Sequence, residues 1–148
     1  MVAERAGWRE PPDVPGLVLV LVGADSATAA IGENLTVNEQ GFDPNAVAVS
    51  DEAAEAFRTS LIGCAAVTGY WGGRSVAAGM HKPVRDGRAE LAGIATLIEF
   101  RGRGFGGAVA AWLTRVAFTA GAHTVFLTTD DEAAHRVYRR SGFRDAAS

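Results

Sequence analysis

The chain of 148 residues is 48% hydrophobic and 21% charged, a composition that suits one folded domain and excludes bulk disorder. Its formal net charge of −3 argues against a nucleic-acid partner, because proteins that bind a phosphate backbone carry a basic face. Its one cysteine, Cys64, excludes an intramolecular disulfide, and the charges and prolines near its start are unlike a signal peptide. We therefore expect a cytoplasmic protein with no membrane partner.

The N-terminal part of the chain predicts a lead-in followed by a strand. Residues 1–15 hold three of the five prolines and are expected to be a loose lead-in to a single domain over residues 16–148. The valine and leucine run at residues 17–22 is typical of a strand buried on both faces, and it is too short to span a bilayer.

Two helices are predicted next. Residues 26–40 have apolar side chains at helical spacing, with Ser26 as the expected N-cap. Residues 50–61 carry acidic residues in their first turn, which favours a helix that Ser50 caps.

The middle of the chain predicts three antiparallel strands. Residues 65–71 and 75–81 flank the pair Gly72-Gly73, which suits a tight hairpin turn. A second turn at Asp86-Gly87 leads into a strand over residues 89–97. This last strand is the fourth in the predicted order.

The C-terminal part changes to helical periodicity. Residues 104–120 predict a helix that ends at Gly121, and residues 125–128 predict a fifth strand, parallel to the fourth. A final helix should begin at Thr129 or Asp131, because Thr129 and Glu132 have capping-box spacing.

A glycine-rich loop separates the fourth strand from the helix that follows. Free backbone N–H groups and the helix dipole favour an anion at such a junction, and glycines let a phosphate approach the backbone. Two arginines add charge and bidentate donors. The loop therefore predicts a phosphate site made of Arg101, Gly102, Arg103, Gly104, Phe105, Gly106 and Gly107.

The loop also satisfies a second pattern. Gly102, Gly104 and Gly107 fit G-x-G-x-x-G, and Asp130 follows the next strand, as a ribose-binding acid does in a dinucleotide fold. A dinucleotide domain needs further parallel strands after the motif, whereas one strand and one helix remain here. A dinucleotide-binding oxidoreductase is therefore the disfavoured alternative.

Two linked motifs resemble the GNAT superfamily of N-acetyltransferases. Arg101, Gly104 and Gly106 match its pattern [QR]-x-x-G-x-[GA] after the fourth strand. Its second pattern, N-x-x-A-x-x-[FLV]-Y-x-x-x-G-F, is matched by Ala134, Val137, Tyr138, Gly142 and Phe143. The resemblance covers residues 89–144 in detail.

The resemblance implies an α/β fold, in which about six strands form a mixed, splayed sheet with helices on both faces. It also implies that coenzyme A, as acetyl-CoA, enters between the fourth and fifth strands. The pyrophosphate would lie on the amides of residues 101–107, and the pantetheine would pair with Ile94, Ala95 and Thr96. Ala134 and Tyr138 would line the same cofactor site.

Amine acylation needs a proton for the departing thiolate and a base for the incoming amine. Tyr138, in the family's tyrosine position, is the predicted acid, because a phenol with a pKa near 10 is protonated at neutral pH. Glu90 is the predicted base, as in the histone-acetylating members. Strand alternation should give Glu90 the same face as Ala92, Ile94 and Thr96. The competing interpretations are a packed tyrosine and a surface carboxylate opposite Lys82 or Arg88.

Two departures from the family pattern affect these expectations. Asp131 stands where the family often has asparagine, so it caps a helix but cannot donate as an amide does. The sequence ends five residues after Phe143, which predicts an acceptor side that is open or completed by a second subunit as a homodimer.

The remaining polar residues predict no further chemistry. His81, His123 and His135 lack metal-ligand spacing, and His81 is expected to be an exposed residue at a strand end. Cys64 is expected to be a buried, inert thiol, and Glu99 to pair with Arg101.

The sequence thus predicts an N-acetyltransferase that transfers an acetyl group to the amine of a small molecule or peptide in a ternary complex. A non-catalytic domain that binds or senses acyl-CoA is the alternative from another class.

Overall fold

The computed structural model describes residues 1–146, which form a six-stranded mixed sheet with helices on both faces. Short 3₁₀ turns lie at Arg58–Leu61 and Ile98–Phe100. The predicted α/β architecture is confirmed. The elements in chain order are β1 (Val2–Glu4), β2 (Leu17–Val22), α1 (Thr28–Phe42), α2 (Asp51–Phe57), β3 (Ala65–Trp71), β4 (Arg74–His81), β5 (Arg88–Thr96), α3 (Phe105–Thr119), β6 (Thr124–Phe126) and α4 (Glu132–Arg140).

The strands lie in the order β1-β6-β5-β4-β3-β2. Strands β2 to β5 form an antiparallel meander, as the sequence predicts for its last three members. The chain then crosses through α3 to β6, which pairs parallel with β5. The predicted fourth and fifth strands are therefore β5 and β6 of the structure.

Helix α3 covers one face of the sheet and forms the main core with it. A Cβ atom at Gly79 of β4 would lie 2.8 Å from Val109 and 3.1 Å from Leu113, so the helix approaches the strand closely. Phe105, Val109, Leu113 and Val125 are at most 1% exposed. Burying a side chain of this size stabilises a fold by about 1.5–3 kcal/mol, so this face anchors the loop before α3.

Helices α1 and α2 cover the opposite face. The Asn34 side chain of α1 donates hydrogen bonds of 2.9 Å to the Val67 carbonyl and the Thr68 hydroxyl of β3. Gly41, near the end of α1, lies so close to β5 that a Cβ there would be 2.6 Å from Cβ of Ala95. The end of α1 is thereby fixed against the end of β5.

The predicted helix caps have different outcomes. Ser50 caps α2, since its hydroxyl accepts the Ala53 N–H at 3.1 Å. Ser26 does not cap α1: the helix begins after Ala27, and the Ser26 hydroxyl accepts the Gly23 N–H at 2.9 Å in the preceding turn. A serine hydroxyl can accept a backbone N–H of a turn or of a helix end, and here it accepts the N–H of the turn.

The prediction that residues 17–22 are buried on both faces is wrong. Strand β2 is an edge strand, and Val18, Val20 and Leu21 are 59%, 44% and 58% exposed. A continuous apolar run has the same pattern in a central and in an edge strand, so only the neighbouring elements decide its burial.

The N-terminal residues differ from the loose lead-in that was expected. Val2, Ala3 and Glu4 form β1, which pairs antiparallel with β6 and closes the other edge of the sheet. Val2 also bridges to Arg144, and both backbone bonds of that bridge are present, at 2.8 and 2.9 Å. The position next to β6, at the end of the sheet where the chain returns after α4, is therefore occupied by β1 of the same chain.

Candidate active site

Strands β5 and β6 separate soon after they pair. Their register runs through Arg88↔Thr124 and Ala89↔Val125 and ends at Glu90↔Phe126. Beyond that point β5 continues to Thr96 without β6 beside it. A strand edge of this kind keeps backbone N–H and C=O groups available to another extended chain.

A cavity of about 640 Å³ opens at this separation. Its walls come from the end of β5, the end of α1, the first turn of α3, one side of α4 and the N-terminal segment. Its lining residues include Pro11, Pro12, Val14, Gly41, Phe42, Ile94, Ala95, Thr96, Phe100, Arg101, Gly102, Gly104, Phe105, Gly106, Gly107, Asp131, Ala134, Val137, Tyr138 and Arg140.

The glycine-rich loop forms the end of the cavity where α3 begins. Gly102 and Gly104 have φ angles of +80° and +83°, in the left-handed region that favours glycine. Gly104 is the N-cap of α3, and within residues 1–146 no side chain accepts a hydrogen bond from the first turn. The first backbone N–H groups of a helix have no partner within the helix, so this turn offers donors to an anion.

The sequence predicts that Arg101 and Arg103 offer bidentate donors to a phosphate. In the structure both guanidinium groups contact other parts of the protein. The Arg101 guanidinium donates to the Gly41 carbonyl at 2.6 Å and to the Thr96 carbonyl at 3.2 Å. Arg103 lies over the rings of Phe100 and Trp71, 5.5 and 6.0 Å from their centroids. Carbonyls near the end of a helix lack partners and attract cationic side chains, which accounts for the direction of Arg101.

The two last glycines of the loop have different surroundings. A Cβ at Gly106 would be 3.8 Å from the Thr96 hydroxyl, which is ordinary contact. A Cβ at Gly107 would be 2.9 Å from Ser141 Oγ and 3.2 Å from Val137 Cγ1 of α4. Gly107 therefore allows α4 to pack closely on α3, whereas Gly106 borders the open slot beside β5.

Tyr138 lies on α4 and lines the cavity. The ring is half-buried and contacts Phe143 edge to face, with 6.2 Å between the ring centroids. Burial and, to a lesser extent, the negative charge of Asp131 raise the pKa of the Tyr138 hydroxyl. Both effects disfavour the phenolate, so the hydroxyl holds its proton at neutral pH.

Glu90 is the last residue of β5 that pairs with β6, so it lies where the strands separate. Its carboxylate forms an ion pair with Lys82, with 3.2 Å between Oε1 and Nζ, and the carboxylate does not line the cavity.

The predicted alternation of side chains along β5 is wrong after Ala92. Gly93 has a φ of +62°, and the register against β4 shifts between Ala78 and Met80. Such a bulge adds one residue and reverses the facing of those that follow. Ile94 and Thr96 consequently face α3, beside Gly106, while Glu90 and Ala92 stay on the α1 face.

Asp131 and Thr129 each accept a backbone hydrogen bond at the start of α4. Asp131 is the N-cap, because its carboxylate accepts the Ala133 N–H at 3.0 Å. The Thr129 hydroxyl accepts the Asp131 N–H at 3.3 Å, so the predicted capping box of Thr129 with Glu132 is replaced by an aspartate cap. The expectation that Asp131 caps a helix is confirmed.

Three smaller expectations change. His81 is 2% exposed rather than exposed, and its Nδ1 lies 2.8 Å from the Lys82 carbonyl. Glu99 pairs with Arg74 at 3.3 Å rather than with Arg101. Cys64 is half-buried, and that burial raises the pKa of its thiol.

Residues 1–146 contain neither a cluster of metal-ligating side chains nor a membrane-spanning helix. Nowhere in that range do three or more His, Cys, Asp or Glu side chains gather as a metal ion requires. No helix in the same range is long and apolar enough to cross a membrane.

The sequence-based prediction missed the cavity wall formed by the N-terminal segment and a contact at the β5 bulge. Pro11, Pro12 and Val14 line it although residues 1–15 carry no periodic signal. Asn38 of α1 donates a hydrogen bond to the Gly93 carbonyl at the bulge. Both contacts join segments far apart in the chain, so no local pattern indicates them.

Comparisons with solved structures give the same fold. A GCN5-related N-acetyltransferase from Kribbella flavida is 27% identical, with a TM-score of 0.70 over 97% of this chain and 52% of that one. This chain thus spans about half the length of the Kribbella protein.

Two more distant structures share the fold. An aminoglycoside acetyltransferase from an uncultured soil metagenomic sample, solved with sisomicin, is 13% identical with a TM-score of 0.73, over 90% of this chain and 91% of that one. A predicted acetyltransferase from Clostridium acetobutylicum, solved with acetyl-CoA, is 14% identical with a TM-score of 0.64, over 88% and 91%.

Sequence comparison gives the family directly. A search of curated proteins finds no match. The model of the acetyltransferase (GNAT) family matches residues 36–143, which include β5, the glycine-rich loop, α3 and α4. The chain therefore belongs to the acetyltransferase (GNAT) family of acyltransferases.

Proposed function

We propose that this protein transfers an acetyl group from acetyl-CoA to the primary amine of a small molecule or peptide, by direct attack in a ternary complex. The observation that carries the proposal is the cavity at the separation of β5 and β6. It has the uncapped first turn of α3 at one end and Tyr138 on its wall. The family match supports the reaction class.

The lining of the cavity supports coenzyme A as its ligand. The backbone amides of residues 101–107 would hold the pyrophosphate, since Gly102 and Gly104 bring no side chain between the backbone and an anion. Ile94, Ala95 and Thr96 line the slot beside the free edge of β5, where the pantetheine would pair as an added strand. Ala134 would contribute a small side chain from α4.

Three groups of this chain would carry the chemistry. Bound acetyl-CoA supplies an acyl group that is activated as a thioester. The Tyr138 hydroxyl would donate its proton to the departing sulfur, and the Glu90 carboxylate would accept the proton that the amine nitrogen loses. The N–H of Ile94 would face the acyl oxygen.

The position of Glu90 supports an approach of the amine from the α1 face. Glu90 and Ala92 face α1, whereas Ile94 and Thr96 face α3 and the first turn. A ternary complex needs separate routes for acyl donor and amine, and with the Gly93 bulge these two routes would lie on different faces of one strand. A cationic small-molecule amine is the first acceptor class to test, because a neighbour of the same fold was solved with sisomicin.

Calorimetric titration with acetyl-CoA tests the proposal, with NAD and FAD as controls. We expect binding of acetyl-CoA alone, followed by release of free thiol when a suitable primary amine is added. Binding of a dinucleotide alone would contradict the proposal. Binding of acetyl-CoA without transfer to any of a broad amine panel, and without slow thioester hydrolysis, would instead support a non-catalytic domain.

A further inference from the structure

The segment that joins β1 to β2 crosses the α3 side of the molecule. The two strands lie at opposite edges of the sheet, so the segment between them has to span the sheet. We call residues 8–14 of this segment the strap. It passes the junction of α3 with α4 and reaches the beginning of α3.

Two side chains fix the strap to the domain. The Trp8 indole N–H donates to the Ser141 carbonyl at 3.2 Å, and its ring contacts Phe118 edge to face at 5.5 Å. Glu10 forms an ion pair of 2.9 Å with Arg115 of α3. The strap therefore has two anchors, one at the end of α4 and one on the outer side of α3.

The strap reaches the cavity next to the glycine-rich loop. Pro11, Pro12 and Val14 line the cavity, and a Cβ at Gly104 would be 3.7 Å from Val14 Cγ2. Gly104 is the N-cap of α3, so Val14 lies at the turn whose amides have no side-chain partner in the described part of the chain.

We propose that the strap is a wall of the acyl-CoA site, with Val14 and Pro12 contacting the phosphate-bearing part of the cofactor. The inference rests on the proposed function and adds binding residues to it. Prolines have no backbone N–H, so Pro11 and Pro12 cannot compete with the loop amides for the phosphates. An apolar wall also lowers the local dielectric constant, which strengthens the attraction between those amides and an anion.

A pair of charge variants at one position tests the contact. Val14→Asp should weaken the binding of coenzyme A about tenfold or more, because a carboxylate would lie beside the pyrophosphate, whereas Val14→Lys should bind at least as tightly as the unchanged protein. The difference should shrink when salt is raised from about 0.05 to 0.5 M. S-acetylpantetheine, which carries no phosphate, should bind both variants alike.

Thermal unfolding without ligand checks that both variants are folded. If either Val14 variant fails to fold, Pro12→Asp and Pro12→Lys provide the same comparison at an exposed position. If the unchanged protein binds coenzyme A, and the Asp and Lys variants of one position bind it with equal affinity, the strap proposal is overturned and the proposed function stands. Failure of the unchanged protein to bind coenzyme A would overturn the proposed function and the strap contact together.

A kinetic measurement tests the anchor. Glu10→Gln removes the ion pair with Arg115, so the strap should be displaced more often and coenzyme A should dissociate several-fold faster in stopped-flow chase experiments. Glu55→Gln removes another ion pair, with Arg58 far from the strap, and serves as the matched control. Equal dissociation rates in the two variants would contradict a strap that contacts the bound cofactor.

Discussion

Tyr138 lies on the wall of the cavity with its hydroxyl in an environment that holds the proton. Tyr138→Phe should lower kcat about 100-fold or more, because a general acid typically contributes that much, while the Kd for coenzyme A changes little. The other tyrosine, Tyr70, does not line the cavity, so Tyr70→Phe is the control. Unchanged turnover in Tyr138→Phe would remove this residue from the mechanism.

The direction of the Tyr138 pKa gives that prediction a pH dependence. Burial, and after it the charge of Asp131, raise this pKa, so the protonated donor persists to higher pH than in a free tyrosine, whose pKa is about 10. The folded state also binds this proton more tightly than the unfolded state does, so the associated stability is present below about pH 10 and is lost above it. The pH–rate profile should accordingly show no loss of activity from this group below about pH 10.

Glu90 is tested against its partner Lys82. If Glu90 is the base, Glu90→Gln should remove the acidic limb of the pH–rate profile and lower kcat/KM about 10² to 10⁴-fold. Lys82→Met breaks the same ion pair but leaves the carboxylate, so it should keep the acidic limb. Matching profiles in the two variants would mean that Glu90 serves only as an ion-pair partner.

At the scale of elements, the junction of α3 with α4 depends on one glycine. Gly107→Ala should lower the free energy of unfolding by about 1–3 kcal/mol, because the new methyl group meets Ser141 and Val137. Gly106→Ala is the matched control: its methyl group has room, and alanine favours a helix over glycine by about 1 kcal/mol. Urea unfolding of both variants measures the difference, and equal stabilities would mean that α4 adjusts without cost.

The elements that the sequence predicts well are those with local signals. The glycine pair of the β3–β4 hairpin, the Ser50 cap and the glycine that follows α3 each act within a few residues, and each appears as expected. The bulge at Gly93 was missed because a glycine in a strand has several uses. Its positive φ becomes necessary only when β4 and the Asn38 amide lie against it.

Among the site residues, too, local features could be predicted and long-range contacts could not. The position of the loop at residues 101–107, between a strand and a helix and beside the cavity, agrees with the prediction, while its role as a phosphate site stays a prediction. The hydrogen bond of the Arg101 side chain was not predicted, because its partner is the carbonyl of Gly41, 60 residues away in the chain.

At the scale of the whole molecule, the sheet is closed at one edge by β1. Ala3 is 1% exposed and pairs with Val125, so Ala3→Asp would bury a carboxylate in the main core. We expect it to lower the free energy of unfolding by about 3 kcal/mol or more. Ala6→Asp, in the exposed turn that follows, should change stability little. Equal urea midpoints for the two variants would contradict the pairing of β1 with β6.

The pairing of β1 with β6 at this edge also determines when the sheet can be completed during synthesis. The backbone of Met1 bonds to that of Leu127, 126 residues further along the chain, so β1 leaves the ribosome long before its partner strand does. Strands β2 to β5 pair with their chain neighbours and are able to form meanwhile. The contacts of highest sequence separation form last. Until β6 is made, β1 has no partner strand and β5 has one unpaired edge, the state in which nascent chains are prone to pair with one another.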